Sequence, residues 1–526
     1  MIMVTHFLRR KVVVFTFVGK EACILILLSV FMIVIPVVEK NPFLGIVFDR
    51  KLTFLPHVLQ LRKRCEKLLN IIKFLSTTSW GADRTDLLRI YQSVILSRID
   101  YGCEVYGSAC SSVLRRLDPI HHSALRICSG SFRTSPVHSL YAICHQMPLH
   151  LRRRKLGAQY FRIQSHPNRP VRTLPIPTGL GRLYAARTSN ILPFCERMKR
   201  SLGDLEISTV QVYHIDFFSF PPWYVPQFSF LNPVSKFAKS TTNPVVFQQI
   251  FLSHCTQFCT YSPIFTDGSK TASRVGCGVV FDQNVFSRRL NASCYVLTAE
   301  LMAIWLALEK IFTLLENTFC IYSDSLSALE TLAHPETATR PIASEILCLL
   351  ARLKARDCEI LFCWIPSHVG IHGNELADTA AKSASIELNH PLPYADIKKS
   401  LLIYAHSLWQ ESWDQQIHNK LHSIQPLLKL WPVVPVRMLD VKLNRLRIGL
   451  TRLTHKYLLF GERCPACTTC HVNLTVHHIL VECPVFSNHR SRFFSSVSLN
   501  IRDLVGERPH QHIFAFLRAI GIFNFL

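Results

Sequence analysis

The chain has 526 residues, 49% of them hydrophobic, which is enough for roughly three domains that each bury a core. Its formal net charge of +24 predicts a polyanionic partner, with nucleic acid favoured over a membrane surface or a general solubility bias. The 19 cysteines are odd in number and many lie in apolar runs, which argues against a secreted disulfide framework and favours reduced thiols in the nucleus or cytoplasm.

Residues 1–40 form a hydrophobic leader with one uncharged run at 22–38. The run is preceded by the basic residues Arg9, Arg10, Lys11 and Lys20. Its 17 residues are at the short limit for a membrane span, and they include Pro36. A secretory signal peptide would need a small-residue cleavage site, and none follows the run. We expect no membrane partner, although the run leaves an N-terminal membrane segment open as an alternative.

Residues 41–160 are basic and predominantly helical in pattern. The amphipathic runs at 59–73 and 85–96 carry Lys and Arg side chains that either form a binding face or are simply solvated. Residues 161–258 are richer in Pro and have no long periodic runs. They are predicted to be an irregular connector, with short strands around 210–220 and aromatic packing near Trp223.

Residues 259–388 alternate between strand and helix periodicity. The pattern predicts strands at 262–266, 276–281, 287–291, 319–323 and 359–365. It predicts helices at 298–315, 342–355 and 374–385, and Thr298 is the expected cap of the first helix. In this β-β-β-α-β-α-β-α order, acidic residues fall at two strand ends and on two helices: Asp267, Asp324, Glu300 and Asp378.

Each acid also has a simple structural explanation. Asp267 with Gly268 suits a tight turn, and Glu300 suits a helix N-terminus. Asp324 suits a helix cap, and Asp378 suits a solvated helix face. Their combination favours a site, because strand ends and helix starts on one side of a small α/β sheet are where ligand sites gather. Converging carboxylates repel one another unless cations neutralise them, and hard oxygen ligands suit Mg²⁺ or Mn²⁺.

The acids occur in ordered motifs: Thr266-Asp-Gly-Ser269, Ala299-Glu-Leu301, Ser323-Asp-Ser325 and the long run from Trp364 to Asp378. This order resembles a type 1 ribonuclease H domain, and more narrowly the one that follows reverse transcriptase in jockey-like and R1-like non-LTR retrotransposons of arthropods. The resemblance implies a mixed five-stranded sheet, two Mg²⁺ ions (or Mn²⁺), and catalysis by Asp267, Glu300, Asp324 and Asp378.

The resemblance also implies that His368, in the loop before the last helix, assists proton transfer or product release. His372 is the neighbouring alternative, but it lies where the family pattern varies. Choosing RNA over DNA requires contacts to the 2′-hydroxyl group. Ser269 and Asn374 are candidates for contacts to the substrate, with ordinary turn and cap roles as the alternative for both.

Two phrases, at 43–54 and 99–107, resemble the region just after the reverse transcriptase palm in the same elements. The resemblance begins near Asn41, so the leader stays outside it. No Asp-Asp pair occurs in the sequence, and the metal site of the polymerase is therefore missing with the fingers and most of the palm. We expect no reverse transcriptase activity.

Residues 389–460 are predicted to be a basic helical region. A helix over 394–416 carries Trp409 and Trp413 one turn apart, which favours packing in a core over stacking with bases. Residues 437–459 are rich in Lys and Arg. A phosphate-binding face and a solvated helix face are both open for them.

Residues 461–490 contain a motif with four potential zinc ligands: Cys464, Cys467, His478 and Cys483. Their types and spacing suit tetrahedral Zn²⁺, which would fold a small module. His478 is preferred because the His-Ile-Leu-x-x-Cys ending resembles the one found after ribonuclease H in these elements. Ordinary reduced thiols are the alternative, and the assignment can shift because the motif contains spare ligands: Cys470, His471 and His477.

Together these patterns predict an α/β, ribonuclease H-like mixed five-stranded sheet with flanking helices. A mostly helical reverse transcriptase remnant precedes it, and a helical tail with a small Cys/His module follows it, ending in a C-terminal tail at 491–526. The predicted function is endonucleolytic hydrolysis of the RNA strand of RNA–DNA hybrids, with no small-molecule substrate. The alternative is a catalytically inactive nucleic-acid-binding remnant of a mobile element.

Overall fold

The computed structural model describes residues 2–4, 14–16, 38–163, 194–202, 212–213, 228–494 and 499–526, apart from residues 79, 272–273, 283, 335–340 and 456. Nearly all of the apolar run at 22–38 and most of the connector, including Trp223, lie outside the described residues. Within those residues, no helix combines the length and apolarity that a membrane crossing needs. The chain divides into two compact units: residues 1–157, 175–197 and 403–526, and residues 158–174 and 198–402.

The N-terminal part of the chain has two short antiparallel strand pairs followed by helices. The strands are β1 (Ile2–Val4), β2 (Val14–Thr16), β3 (Lys40–Phe43) and β4 (Ile46–Asp49). The helices are α1 (Leu55–Leu75), α2 (Arg84–Ile90), α3 (Ser97–Asp100), α4 (Cys103–Tyr106), α5 (Ser111–Leu114), α6 (Asp118–Ser129), α7 (Val137–Cys144) and α8 (Leu149–Ile163). The predominantly helical pattern expected for residues 41–160 is confirmed.

The middle of the chain contains the main sheet and the helices around it. The strands are β5 (Ser262–Lys270), β6 (Val275–Phe281), β7 (Asn284–Leu290), β8 (Thr318–Ser323) and β9 (Glu359–Trp364). The helices are α9 (Phe194–Leu202), α10 (Pro244–Gln257), α11 (Val296–Ile311), α12 (Leu326–Ala333), α13 (Pro341–Lys354) and α14 (His372–Ser383).

These five strands form one mixed sheet in the order β7-β6-β5-β8-β9. β5, β6 and β7 are antiparallel, whereas β8 and β9 run parallel to β5. Parallel neighbours need a crossover connection, and helices supply it both before β8 and between β8 and β9. The predicted α/β fold, a mixed five-stranded sheet with flanking helices, is confirmed.

Three local predictions in this unit were wrong. β5 continues past residue 266, so Asp267 pairs with Gly278 inside the sheet and does not lie in a turn. α11 begins after Tyr295 and ends at Ile311, so Thr298 is not its cap and Leu315 is fully exposed beyond it. An unpredicted helix, α12, follows Asp324; its cap is Ser325, whose side chain accepts the N–H of Ala328.

The C-terminal part of the chain is helical, as predicted. Its helices are α15 (Tyr394–Asp414), α16 (Lys420–Ile424), α17 (Arg437–Ile448), α18 (Arg452–His455), α19 (Tyr457–Phe460), α20 (Ser487–Phe493), α21 (Ile501–Val505) and α22 (Ile513–Ala519). Side chains from 46–151 and from 409–450 pack in one hydrophobic core of the first unit. Trp409 and Trp413 lie in this core, which confirms their predicted packing role. Segments far apart in sequence therefore share one core. The domain boundaries given in the sequence analysis stay predictions.

The basic residues of α17 have neither of the roles expected for them. Arg437 is 5% exposed and donates to the carbonyls of Ile127 and Cys128, while Arg447 is 1% exposed and donates to those of Val505 and Gly506. These guanidinium groups satisfy buried carbonyl oxygens, which would otherwise be left unpaired. Neither a solvated face nor a phosphate-binding face describes these two arginines.

Candidate active site and a Cys/His cluster

The register of the sheet places Asp267 and Asp324 next to each other. Thr266 of β5 pairs in parallel with Ser323 of β8, so each acid is the residue that follows one member of this pair. Neighbouring parallel strands end at the same edge of a sheet, where side chains from both can meet. The two carboxylates lie close enough for Asp324 to contribute to the raised pKa of Asp267.

Close packing of α11 on β5 brings Glu300 to this pair. A Cβ atom at Gly268 would lie 2.3 Å from the backbone nitrogen of Glu300 and 2.6 Å from the carbonyl carbon of Ala299. Glycine is required here because any side chain would push the helix off the strand. One carboxylate oxygen from each of Asp267, Glu300 and Asp324 lies within 4.8 Å of the others.

The three acids line an open cavity of about 680 Å³. Asp267 and Glu300 are each only 6% exposed, and the Oε2 atom of Glu300 is buried without a hydrogen-bond partner. Leaving a buried acceptor unpaired is costly, so this oxygen is available to a ligand that enters the cavity. Two cationic side chains, Lys270 and Lys382, lie on the cavity wall.

The electrostatics of the cluster favour a bound cation. Burial, with repulsion from Asp324 and Asp378, raises the pKa of Asp267 to about 7. Burial, with repulsion from Asp267 and Asp324, also raises the pKa of Glu300, and burial raises that of Asp324. Burial makes each ionised carboxylate costly, and for Asp267 and Glu300 repulsion by the neighbouring acids adds to that cost, which a positive charge among them would reduce.

Asp378, the fourth predicted acid, lies on the same cavity but outside the group of three. Its helix, α14, packs directly on β6. A Cβ atom at Gly278 of β6 would lie only 2.3 Å from the carbonyl oxygen of Ala377 in α14. The Asp378 carboxylate accepts a hydrogen bond from Lys382 at 2.7 Å. The side chain is therefore ion-paired rather than simply solvated.

Asn374, a predicted candidate for contact with the substrate, lies beside one of the acids. It is 3% exposed, lies inside α14, and donates from Nδ2 to Asp324 Oδ2 at 3.1 Å. Trp364 Nε1 donates to the backbone oxygen of Asp324 at 3.0 Å. Asn374 and Trp364 thus hold Asp324 in place. Ser269 lines the cavity, where a substrate can reach it.

The two candidate histidines differ in their position relative to the cavity. His368 is exposed, lines the cavity and adopts a left-handed backbone conformation with φ of 52°. His372 is the first residue of α14 and does not contribute to the cavity wall. His368 therefore lines the same cavity as the acids.

One residue that supports the site was missed by the sequence analysis. Asp396, on α15, is 1% exposed and accepts hydrogen bonds from the backbone N–H of Tyr295 at 3.0 Å and from the hydroxyl of Thr298 at 2.5 Å. Both donors belong to the start of α11, the helix that carries Glu300. Asp396 therefore caps the start of α11 from a distant segment, and no local sequence pattern could reveal this interaction.

The Cys/His cluster differs from the prediction in one ligand. The side chains of Cys467, Cys470, His478 and Cys483 converge, with ligand atoms within 4.8 Å of one another. Cys464 is exposed and lies outside this group, so Cys470 takes the place predicted for it. The reason is a tight turn in which His471 N–H donates to the Cys467 carbonyl at 2.9 Å, with Cys470 at the turn.

The surroundings of this cluster suit a metal. The backbone N–H of Cys470 is the main group that lowers the pKa of the Cys467 thiol, to about 6, which favours the thiolate. His478 Nδ1 lies 3.4 Å from a Glu482 carboxylate oxygen, while its Nε2 atom is buried without a hydrogen-bond partner. A carboxylate that orients a histidine in this way leaves the other ring nitrogen for a metal.

Comparison with known proteins assigns the domain that contains the acids. A family model described as RNase H matches residues 260–386. This segment is an RNase H domain. The resemblance predicted from the acidic motifs is confirmed, and the matched range lies inside the second unit. The RNase H domain contains Asp267, Glu300, Asp324, Asp378 and His368.

Individual relatives each match less than a quarter of the chain. The chain is 30% identical over 98 residues to the probable RNA-directed DNA polymerase from transposon X-element of Drosophila melanogaster. The match covers 18% of this chain and 11% of that protein, so the chain corresponds to a small part of the relative's length.

Two solved structures are similar to this chain. One is LC11-RNase H1 in complex with RNA/DNA hybrid, 20% identical over 23% of this chain and 96% of the other, with a TM-score of 0.20. The other is RNase H1 from the halophilic archaeon Halobacterium salinarum NRC-1, 17% identical over 24% of this chain and 96% of the other, with a TM-score of 0.20.

Proposed function

We propose that the RNase H domain is an endonuclease that hydrolyses the RNA strand of RNA–DNA hybrids. The observation that carries this proposal is the convergence of three carboxylates, from Asp267, Glu300 and Asp324, in one open cavity. The positive net charge of the chain supports a nucleic-acid partner. No small-molecule substrate is needed to explain the site.

The acids fit divalent metal ions. The donor set consists of oxygen atoms alone, which suits Mg²⁺ or Mn²⁺, and Glu300 Oε2 has no hydrogen-bond partner among the described residues. Asp267, Glu300 and Asp324 would hold the metal, and Asp378 would join them after releasing Lys382. Two bound ions supply the activation of the attacking water and the stabilisation of the leaving 3′ oxygen.

The other residues of the site have proposed roles that follow from their positions. Asn374 orients Asp324 through its 3.1 Å hydrogen bond, which makes it a positioning residue. His368 exchanges a proton at the cavity or assists product release. Ser269 contacts the substrate. Lys270 and Lys382 place positive charge on the cavity wall, where it attracts the phosphate backbone.

We also propose that the chain derives from a non-LTR retrotransposon and has no reverse transcriptase activity. The similarity to the transposon X-element protein and the phrases at 43–54 and 99–107 support this origin. The absence of an Asp-Asp pair in the sequence supports the lack of polymerase activity. We place the protein in a reducing intracellular compartment, because many of its described cysteines are buried like small apolar side chains, as is typical of reduced thiols.

Zn²⁺ is the metal proposed for Cys467, Cys470, His478 and Cys483. Three thiolates and one imidazole are a set that structural zinc sites use. The metal would be structural, since four protein ligands leave no open position for a substrate.

The nuclease proposal is tested with the full chain and a labelled RNA–DNA hybrid, with and without Mg²⁺. We expect cleavage that requires Mg²⁺ and is lost in Asp267→Asn. Binding of the hybrid is measured in parallel and should survive the substitution. Tight binding without cleavage by the unaltered chain would instead support the inactive binding remnant, for which the ion pair between Lys382 and Asp378 is the favouring observation.

A further inference from the structure

A segment just before the RNase H domain covers the edge of its sheet. Residues 228–257, here named the upstream clamp, lie outside the matched range of 260–386. Leu231 N–H donates to the carbonyl of Phe362 at 2.7 Å, and Trp364 N–H donates to the carbonyl of Leu231 at 2.8 Å. β9 is the edge strand of the sheet, so the clamp satisfies groups that the sheet leaves unpaired.

The helix of the upstream clamp, α10, is anchored in the core of the same unit. Phe247 is 2% exposed and belongs to a buried cluster with Val369 and Ile371. The Phe251 ring packs edge-on against Tyr322 of β8, with ring centroids 5.2 Å apart. These contacts join α10 to both the sheet and the loop that follows β9. The helix is therefore fixed, and the loop packs on it.

The upstream clamp contacts the residues on both sides of His368. Lys239 Nζ donates to the hydroxyl of Ser367 at 2.8 Å, and Gln248 Nε2 donates to the carbonyl of Val369 at 2.9 Å. A Cβ atom at Gly370 would lie 2.3 Å from Gln248 Nε2, so the amide lies directly against the loop backbone. The upstream clamp therefore contacts the loop on both sides of His368, the residue that lines the cavity.

The backbone of this loop needs such support. His368 has φ of 52° and Gly370 has φ of 83°, so two of its residues adopt the left-handed conformation. A non-glycine residue in that conformation is strained and persists where its surroundings fix it. Without the contacts to Ser367 and Val369, the loop could relax and carry His368 away from the acids.

We infer that the upstream clamp fixes the 365–371 loop over the active cavity, and that Gln248 is a positioning residue for His368. The inference rests on the proposed nuclease function and adds a part of the chain outside the matched domain. Among the described residues, those that line the cavity do not include Gln248, which instead contacts the loop through Val369.

The kinetic test uses the full chain with Gln248→Met, which keeps the length of the side chain and removes the donor. Gln249→Met is the control, because Gln249 is the exposed neighbour on the same helix. We expect kcat for hybrid cleavage to fall roughly 5–10-fold in Gln248→Met with KM within about two-fold, because the loss lies in orientation and not in binding. The control should match the unaltered protein.

The decisive comparison is made in a His368→Ala background. If Gln248 acts through His368, Gln248→Met has little further effect there, because both changes remove the same contribution. An equal fall in kcat with and without His368 would overturn the inference.

Hydrogen exchange tests the clamp without relying on activity. Amides of residues 367–371 should exchange faster in Gln248→Met than in the unaltered protein and in Gln249→Met, while β5 and β8 keep their protection. Lys239→Met, which removes an exposed hydrogen bond to Ser367, should give the same pattern more weakly. This variant replaces Gln248→Met in the experiment if Gln248→Met loosens the whole unit. Unchanged exchange of the loop in both variants would overturn the clamp. A chain that never cleaves hybrids would instead reject the nuclease proposal, and the exchange data would still decide the clamp.

Discussion

The acidic cluster and the Cys/His cluster are both potential metal sites, but the chain assembles them differently. Cys467, Cys470, His478 and Cys483 lie within one short stretch, which a tight turn and a single helical turn fold back on itself. Asp267, Glu300 and Asp324 come from a strand, a helix and a strand end that lie well apart in sequence. The first cluster is local, and the second exists only when the sheet has formed.

This difference has thermodynamic consequences. A metal bound by thiols and imidazole from one short stretch would stabilise the fold of that stretch, so binding would be coupled to local folding. The acidic cluster is instead held by β5, α11 and β8 in spite of its burial and mutual repulsion, which together raise the pKa of Asp267 to about 7. Its metal would bind to a preformed and electrostatically strained site.

The largest expected effect is on the acidic cluster. Asp324→Asn should lower hybrid cleavage by roughly 10²–10³-fold, because it removes a charge from the metal site while keeping the shape of the side chain. Binding of the hybrid should change little, since the surrounding fold is preserved. Cleavage rates and binding are measured with the full chain in Mg²⁺. Comparable cleavage by the variant would remove Asp324 from the site.

A second prediction addresses the Cys/His cluster with a matched pair of variants. Cys470→Ser should lose about one zinc ion per chain and lower the melting temperature of the first unit, because a four-ligand structural site does not tolerate the loss of a thiolate. Cys464→Ser should keep both the zinc and the melting temperature, since Cys464 lies outside the cluster. Metal content is measured by elemental analysis. The reverse result would restore the ligand set predicted from the sequence.

The smallest expected effect concerns the distant support of the acidic cluster. Asp396→Ala leaves the N–H of Tyr295 and the hydroxyl of Thr298 without their acceptor and should lower the free energy of unfolding by about 1–3 kcal/mol. Cleavage should fall less than in Asp324→Asn, because Glu300 is displaced and not removed. Glu411→Ala, which removes an exposed carboxylate from the same helix, is the control. Equal stability of the two variants in denaturant titrations would show that Asp396 does not hold α11.

Local patterns predicted most elements of the RNase H domain, and the exceptions have physical causes. Strand and helix periodicity depends on which residues face the core, and in β6, β8, β9, α13 and α14 that pattern is clear. α11 was misplaced at its start because Thr298 resembles a cap, whereas Asp396 supplies the capping interaction from another segment. β5 was predicted too short because Asp267 and Gly268 resemble a turn, whereas pairing with β6 keeps them extended.

In the basic helix α17, contacts from distant segments likewise overrode what the local charge pattern predicted. Its composition indicated exposure or phosphate binding, because Arg is costly to bury without partners. The tertiary structure supplies those partners as carbonyl oxygens at helix ends, including those of Ile127 and Cys128 for Arg437. Net charge therefore counts side chains that no nucleic acid can reach.

The sequence by itself determined the identity of the acids, the five-stranded α/β domain and the presence of a Cys/His cluster, because each depends on residue type and short-range order. The tertiary structure alone decided which atoms meet: Gly268 lets α11 approach β5, Asp396 accepts from the start of α11, and Cys470 replaces Cys464. It also decided the contact of Gln248 with the His368 loop. Such contacts join residues that are distant along the chain or depend on the geometry of a turn, and periodicity carries no information about either.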